Sequence, residues 1–227
     1  MNAPVKNAGG DGCRHYTALL LDFGSVIQKS FFETRGPLER LLNVPSGSLK
    51  WAGPFDPAGD TLWQQVLNGE ISERDYWGRH AQEVGSMVGQ DWAIREFCLK
   101  HNELSTKVTL RPEVLALISD VKNAGLKFGI LTNELELFHG ENWLDTMPFA
   151  AQIDAIVDAT NTKILKPDPR AYALALDALS LPADEVVFID DQQRNVDGGE
   201  AVGITSLHLD ITQHQKCIAQ ARALLKV

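Results

Sequence analysis

The sequence is poor in cysteine. Cys13, Cys98 and Cys217 are three residues among 227, far apart, with no CxxC or Cys/His ligand spacing. That excludes a disulfide-stapled scaffold and a thiolate zinc centre, and it leads us to expect reduced thiols in a cytoplasmic protein. No apolar run approaches the roughly 20 residues of a membrane span. No Lys/Arg cluster is present and the net charge is −9. An acidic surface repels phosphate backbones and anionic membranes, so neither nucleic acid nor membrane is expected as a partner. The opening MNAPVKNAGGDGCRH has Gly and Asn where a signal peptide has its apolar stretch. Residues 1–16 read as a loose tail.

The composition is otherwise ordinary, with 44% hydrophobic and 22% charged residues. A core can form without staples. Five short apolar runs read as buried strands: Thr17–Phe23, Lys127–Thr132, Ile153–Asp158, Glu185–Asp190 and Ile204–Leu209. Near-continuous hydrophobicity suits a parallel sheet covered on both faces. Helical spacing separates the later runs. Arg111–Ala124 stops at Gly125, and Asp168-Pro169 supplies the N-cap and first residue of the next helix. Asn195–Val202 and His214–Leu225 add two more. Alternating strands and helices imply an α/β fold, a doubly wound parallel sheet.

The first crossover breaks the pattern, because a link between parallel strands needs only about a dozen residues. Residues 32–105 therefore read as an inserted helical cap on a core of residues 17–31 and 106–227. The cap helices are expected near Gly59–Glu70, Ser72–Val84 and Asp91–Asn102, with Ser72 and Asp75 as a capping pair. Trp51, Trp63, Trp77 and Trp92 all fall in this insert. They read as its core anchors, with one of them available to face a substrate cleft.

Chemistry-bearing residues gather at the predicted strand ends. Asp22 ends the first strand, Thr132-Asn133 the second and Asp190-Asp191 the fourth, while Lys166 follows the third. Open α/β sheets bind ligands at this rim. DFGSVI (22–27), ILTN (130–133), KPDPRAY (166–172) and VVFIDDQQRNVDGG (186–199) together resemble the four motifs of the haloacid dehalogenase superfamily of hydrolases. The insert stands where that family carries its helical type-1 cap. The resemblance implies a Rossmann-like core with strand order 5-4-1-2-3.

It also implies roles. Asp22 would be the nucleophile, and Thr132 with Asn133 would hold a transferring phosphoryl group. Lys166 would balance the negative charge. Mg²⁺ would sit on Asp22, the Gly24 carbonyl and Asp191, with Asp190 a direct or supporting partner. Three carboxylates facing one lysine call for a divalent cation on charge grounds as well. Asn195 either orients this metal loop or caps the following helix. Gly198, Gly199 and Gly203 lack GxGxxG spacing and read as close-packing positions.

One position departs from the family. Most of its phosphatases carry a second aspartate two residues after the nucleophile, as acid and base, and this chain has Gly24. General acid–base catalysis is worth about 10²–10⁴ in rate. Either the leaving group is good, as in the similar sugar-1-phosphate phosphatases, or another group substitutes, with Glu134, Lys29 and His80 as candidates. The expected function is Mg²⁺-dependent hydrolysis of a small phosphorylated substrate. Carbon–halogen cleavage of a 2-haloacid is the alternative, though the family's dehalogenases lack the Asp-Asp tip. A weakly active ligand-binding member is a third reading. Helical-cap members often form homodimers, and the resemblance allows one here.

Overall fold

The computed structural model describes residues 15–227. Most of the segment read as a tail, residues 1–14, lies outside the described residues. Tyr16 is buried, with its hydroxyl 2.9 Å from Thr205 Oγ1.

The core is a five-stranded parallel sheet of β1 (Ala18–Leu21), β2 (Lys127–Thr132), β3 (Ala155–Asp158), β4 (Val186–Asp190) and β5 (Thr205–His208), in the order β3-β2-β1-β4-β5. This is the expected order read from the other edge. All four β1 residues are buried. Leu19 and Leu21 face one apolar layer with Phe128, Ile130, Val187 and Ile189. Ala18 and Leu20 face the other with Leu131, Val186 and Phe188. Period-two alternation with both faces covered is why the run is apolar throughout. β1 is shorter than its apolar run. Phe23 begins a single wide turn, Phe23–Ile27, closed by the Gln28 N–H donating to the Phe23 carbonyl at 2.9 Å.

The helices are α1 (Phe31–Leu42), α2 (Thr61–Leu67), α3 (Glu73–Met87), α4 (Ile94–His101), α5 (Thr106–Thr109), α6 (Pro112–Asn123), α7 (Leu135–His139), α8 (Ala159–Thr162), α9 (Pro169–Leu179), α10 (Gln193–Ala201) and α11 (His214–Leu225). None is long and apolar enough to cross a membrane among the described residues. Local rules set several ends. Asp168 caps α9 through the Arg170 N–H, with Pro169 at its first position. Ser72 and Asp75 form a capping box on α3. Gly198 and Gly199 on α10 pack where a Cβ would meet Tyr172 and Ser206 within 3 Å. Close helix packing, not a nucleotide loop, explains them.

Helices α1 to α4 have their own apolar cluster, built on Leu38, Trp51, Tyr76, Trp77 and Phe97. All four tryptophans of the insert pack in it or against it. None lines the cavity described below, so the idea that one faces the cleft fails: these rings are needed to hold four short helices together.

The two chain crossings into the cap are pinned side by side. Gln28 bridges Leu110, and the Lys29 N–H donates to Thr109 O at 2.7 Å. Arg111, almost wholly buried, grips Glu33 at 2.7 and 2.8 Å and donates to the Ser25 and Val26 carbonyls. One guanidinium thus ties the turn after Asp22 to the first cap helix.

Candidate active site

The rim of the sheet brings Asp22, Lys166, Asp190 and Asp191 together across 169 residues of chain (191 − 22). β1 and β4 are paired in register, so their ends carry Asp22 and Asp190 to the same level. The Asp22 N–H donates to Ile189 O at 2.9 Å. Lys166 Nζ sits between the two acids, 2.7 Å from Asp22 Oδ1 and 2.6 Å from Asp190 Oδ2. Asp190 is fully buried, and its Oδ1 accepts from Gln192 N at 2.8 Å and Asn195 Nδ2 at 3.0 Å. Both Asp190 oxygens are therefore engaged. Asn195 lies inside the first turn of α10 and holds Asp190, which decides between the two roles expected of it.

The side chain of Asn133 accepts from Lys166 N at 2.8 Å and donates to Lys166 O at 3.3 Å. It fixes the lysine's backbone and lines the cavity beside Thr132, which is buried. The histidine on β5 donates to the Asp191 carbonyl, with His208 Nε2 at 2.9 Å, and steadies that loop.

The electrostatics follow from this crowding. Burial, with Asp190 adding to it, pushes the Asp22 carboxyl up to about 6 despite the opposing pull of Lys166. Burial, then Asp190, Asp22 and Glu73, holds the Asp191 carboxyl well above the usual carboxylate range. Burial alone would lower the Lys166 ammonium, but Asp22 and Asp190 overrule it and hold it above its ordinary value.

These residues fit a divalent cation. Ligand oxygens of Asp22, Asp190 and Asp191 all lie within 4.8 Å of one another. An all-oxygen donor set suits a hard ion such as Mg²⁺. Asn195 Oδ1 is buried at the same place without a hydrogen-bond partner among the described residues. Asp190 already accepts from Lys166, Gln192 and Asn195, so Asp22 and Asp191 have more room to hold the ion.

Gly24 differs from what its sequence suggests. Its backbone is extended (φ −63°, ψ 137°), and the left-handed residue of the turn is Ser25 (φ 60°). A Cβ at Gly24 would meet nothing within 4 Å. Neither the turn nor the packing requires glycine there.

A cavity of about 150 Å³ opens over Asp22 and Lys166. Phe23, Leu135, Phe138 and His139 make its apolar wall, and Glu134 and Gln192 its polar one. Of the three candidates to replace an acid at position 24, Glu134 alone reaches it, and it is ion-paired with Arg74 of α3. Lys29 belongs to the hinge and is not in the wall. His80 is buried in the cap core between Trp51 and Tyr76, bonded to Glu83 at 3.0 Å.

Two groups at this seam are invisible from sequence. Glu73 begins α3, where an acid reads as a helix-dipole partner. Here its carboxylate meets Gln192 Nε2 at 3.4 Å, and burial raises its carboxyl. His139 stacks on Trp143 with centroids 4.0 Å apart, and its Nδ1 lies 2.7 Å from Asn102 Oδ1 of the cap. Burial, then His101, pushes its imidazole down to about 3, so it is neutral. No local spacing signals either one.

Comparison with known proteins gives the family. A family model described as haloacid dehalogenase-like hydrolase matches residues 74–209. Acyl-CoA dehydrogenase family member 10 of Mus musculus is 30% identical over 99% of this chain, which spans only 21% of that protein. (S)-2-haloacid dehalogenase 1 of a Pseudomonas strain is 24% identical over 84% of this chain and 80% of its own length. Phosphatases are also among the matched relatives. The magnesium-bound structure of YfnB from Bacillus subtilis superposes with a TM-score of 0.67 at 16% identity, covering 94% of this chain and 100% of that one. At that identity the likeness speaks for the fold alone.

Proposed function

Because the chain belongs to the haloacid dehalogenase-like hydrolases, we propose that it is a Mg²⁺-dependent phosphatase of small phosphorylated metabolites. The observation that carries this is the Asp22–Lys166–Asp190 bridge with Asp191 beside it. Mg²⁺ would be held by Asp22, the Gly24 carbonyl and Asp191, and would offset charge on the phosphoryl oxygens. Among the relatives, the phosphatases point the same way.

The chain's own residues supply the steps. An Asp22 oxygen attacks phosphorus, and the ester P–O bond breaks with its electron pair leaving on the alcohol oxygen. Water then attacks the aspartyl-phosphate, phosphate departs, and the Asp22 carboxylate is restored. Lys166 keeps Asp22 oriented and balances its charge, Asn133 locks the lysine in place, and the Thr132 hydroxyl donates to a phosphoryl oxygen. Gly24 offers no proton, so leaving groups that are stable as anions depart fastest. The second reading, carbon–halogen cleavage, draws on Gly24 and on the likeness to the Pseudomonas dehalogenase. A metal-fitting acid cluster gives a halide no help and weighs against it.

The test is phosphate release from aryl, anomeric and alkyl phosphates with Mg²⁺ or EDTA, with halide release from 2-haloacids run alongside. Metal-dependent phosphate release that vanishes in Asp22→Asn supports the proposal. Halide release without phosphate release replaces it.

A further inference from the structure

The charges around the cavity point to the kind of phosphate ester it takes. Among the described residues, Lys166 is the one cation in the cavity wall, and two carboxylates already hold it. Around Asp22 and Lys166, the wall presents the Glu134 carboxylate, the neutral Gln192 amide and the rings of Phe23, Phe138 and His139. Two arginines stand close by without lining the cavity. Arg74 pairs with Glu134 and covers the Phe138 ring at 5.6 Å, and Arg194 donates to Gln192 Oε1 at 2.9 Å. Behind Gln192 stands another acid, Glu73, 3.4 Å from its amide. Among the described residues, a second anion on the substrate would find no unpaired cation in this wall and would meet the carboxylate end of the Glu134–Arg74 pair.

We propose that the site selects phosphate monoesters whose leaving group is compact and carries no second negative charge. The inference rests on the phosphatase reading and narrows its substrate class. Carboxylated phosphates and bisphosphates are rejected. Neutral alcohols and phenols are accepted, seated against the aromatic wall with hydroxyl contacts to Glu134 and Gln192. The size follows from the cavity, whose volume of about 150 Å³ is below the roughly 300–1,000 Å³ of pockets that enclose drug-sized ligands.

The magnitude follows from Coulomb's law. A like charge about 6 Å away disfavours binding roughly tenfold at an effective dielectric of about 40, and about a hundredfold at about 20. Matched pairs read this directly: phenyl against 4-carboxyphenyl phosphate, and glycerol phosphate against phosphoglycerate. The expected kcat/KM favours the neutral member by about tenfold or more at low salt. Glu134→Gln removes the facing charge and frees Arg74, and should narrow the ratio severalfold. Should that variant not fold, rising ionic strength should narrow the ratio in the unaltered protein. Equal or better turnover of the charged members, or a ratio unmoved by both Glu134→Gln and salt, overturns the inference while the phosphatase reading stands. No phosphate release from any member removes both.

Discussion

Gly24 offers a test in which activity should be gained. Its backbone at φ −63° and ψ 137° suits any residue, and nothing lies within 4 Å of an added Cβ. Gly24→Ala should therefore fold as the parent does. It should even gain about 0.4–1 kcal/mol, because the unfolded chain loses freedom. Gly24→Asp adds a carboxyl at the cavity wall, on the residue two after the proposed nucleophile. Its stability gain should be smaller, since a further acid joins Asp22, Asp190 and Asp191, and Mg²⁺ should restore the difference. The kinetic effect should be large where protonation limits the rate. A positioned acid is worth about 10²–10⁴, so turnover of alkyl phosphates should rise by a sizeable part of that range while aryl phosphates change little. Steady-state rates on both classes, with thermal melts of both variants, measure this. A folded Gly24→Asp protein with no gain on alkyl phosphates would refute the view that position 24 lacks only a proton donor.

Three further outcomes follow from the same geometry. Lys166→Met leaves Asp190 and the largely buried Asp22 without their counter-charge and should destabilise the protein by about 3–5 kcal/mol at neutral pH; in urea unfolding the loss should shrink below about pH 6 as Asp22 takes up a proton. Asp22 is raised from 3.8 to about 6, so the metal-free fold binds the extra proton between those values and loses stability as pH rises through them. Mg²⁺ competes with that proton, so its affinity, read by calorimetry, should weaken as pH falls below about 6. Arg111→Met removes the buried partner of the half-buried Glu33 carboxylate and unties the Phe23–Ile27 turn from α1, which should lower stability by about 3 kcal/mol and lower kcat more than it raises KM.

The sheet and the four rim groups were legible because each depends on one short stretch. A buried run ending in an acid yields β1 and Asp22, and Asp168-Pro169 yields the start of α9. The helical character of the long first crossover was legible from its length and spacing. What stayed hidden was produced by the approach of distant segments. Glu73 and Gln192 are 119 residues apart, and Asn102 and His139 are 37 apart. The backbone at Gly24 was hidden for a different reason: the left-handed residue of the Phe-Gly-Ser turn is Ser25, not the glycine. Position 24 is open space, which only coordinates reveal.

The account stands on Asp22 forming a covalent phosphoryl intermediate. The direct measurement is a rapid acid quench of the protein with an aryl phosphate and Mg²⁺, followed by peptide mapping by mass spectrometry. The prediction is a phosphoryl group on the peptide carrying Asp22, lost with EDTA and absent in Asp22→Asn. Phosphate release with no label on that peptide, or with the label on another residue, would contradict it.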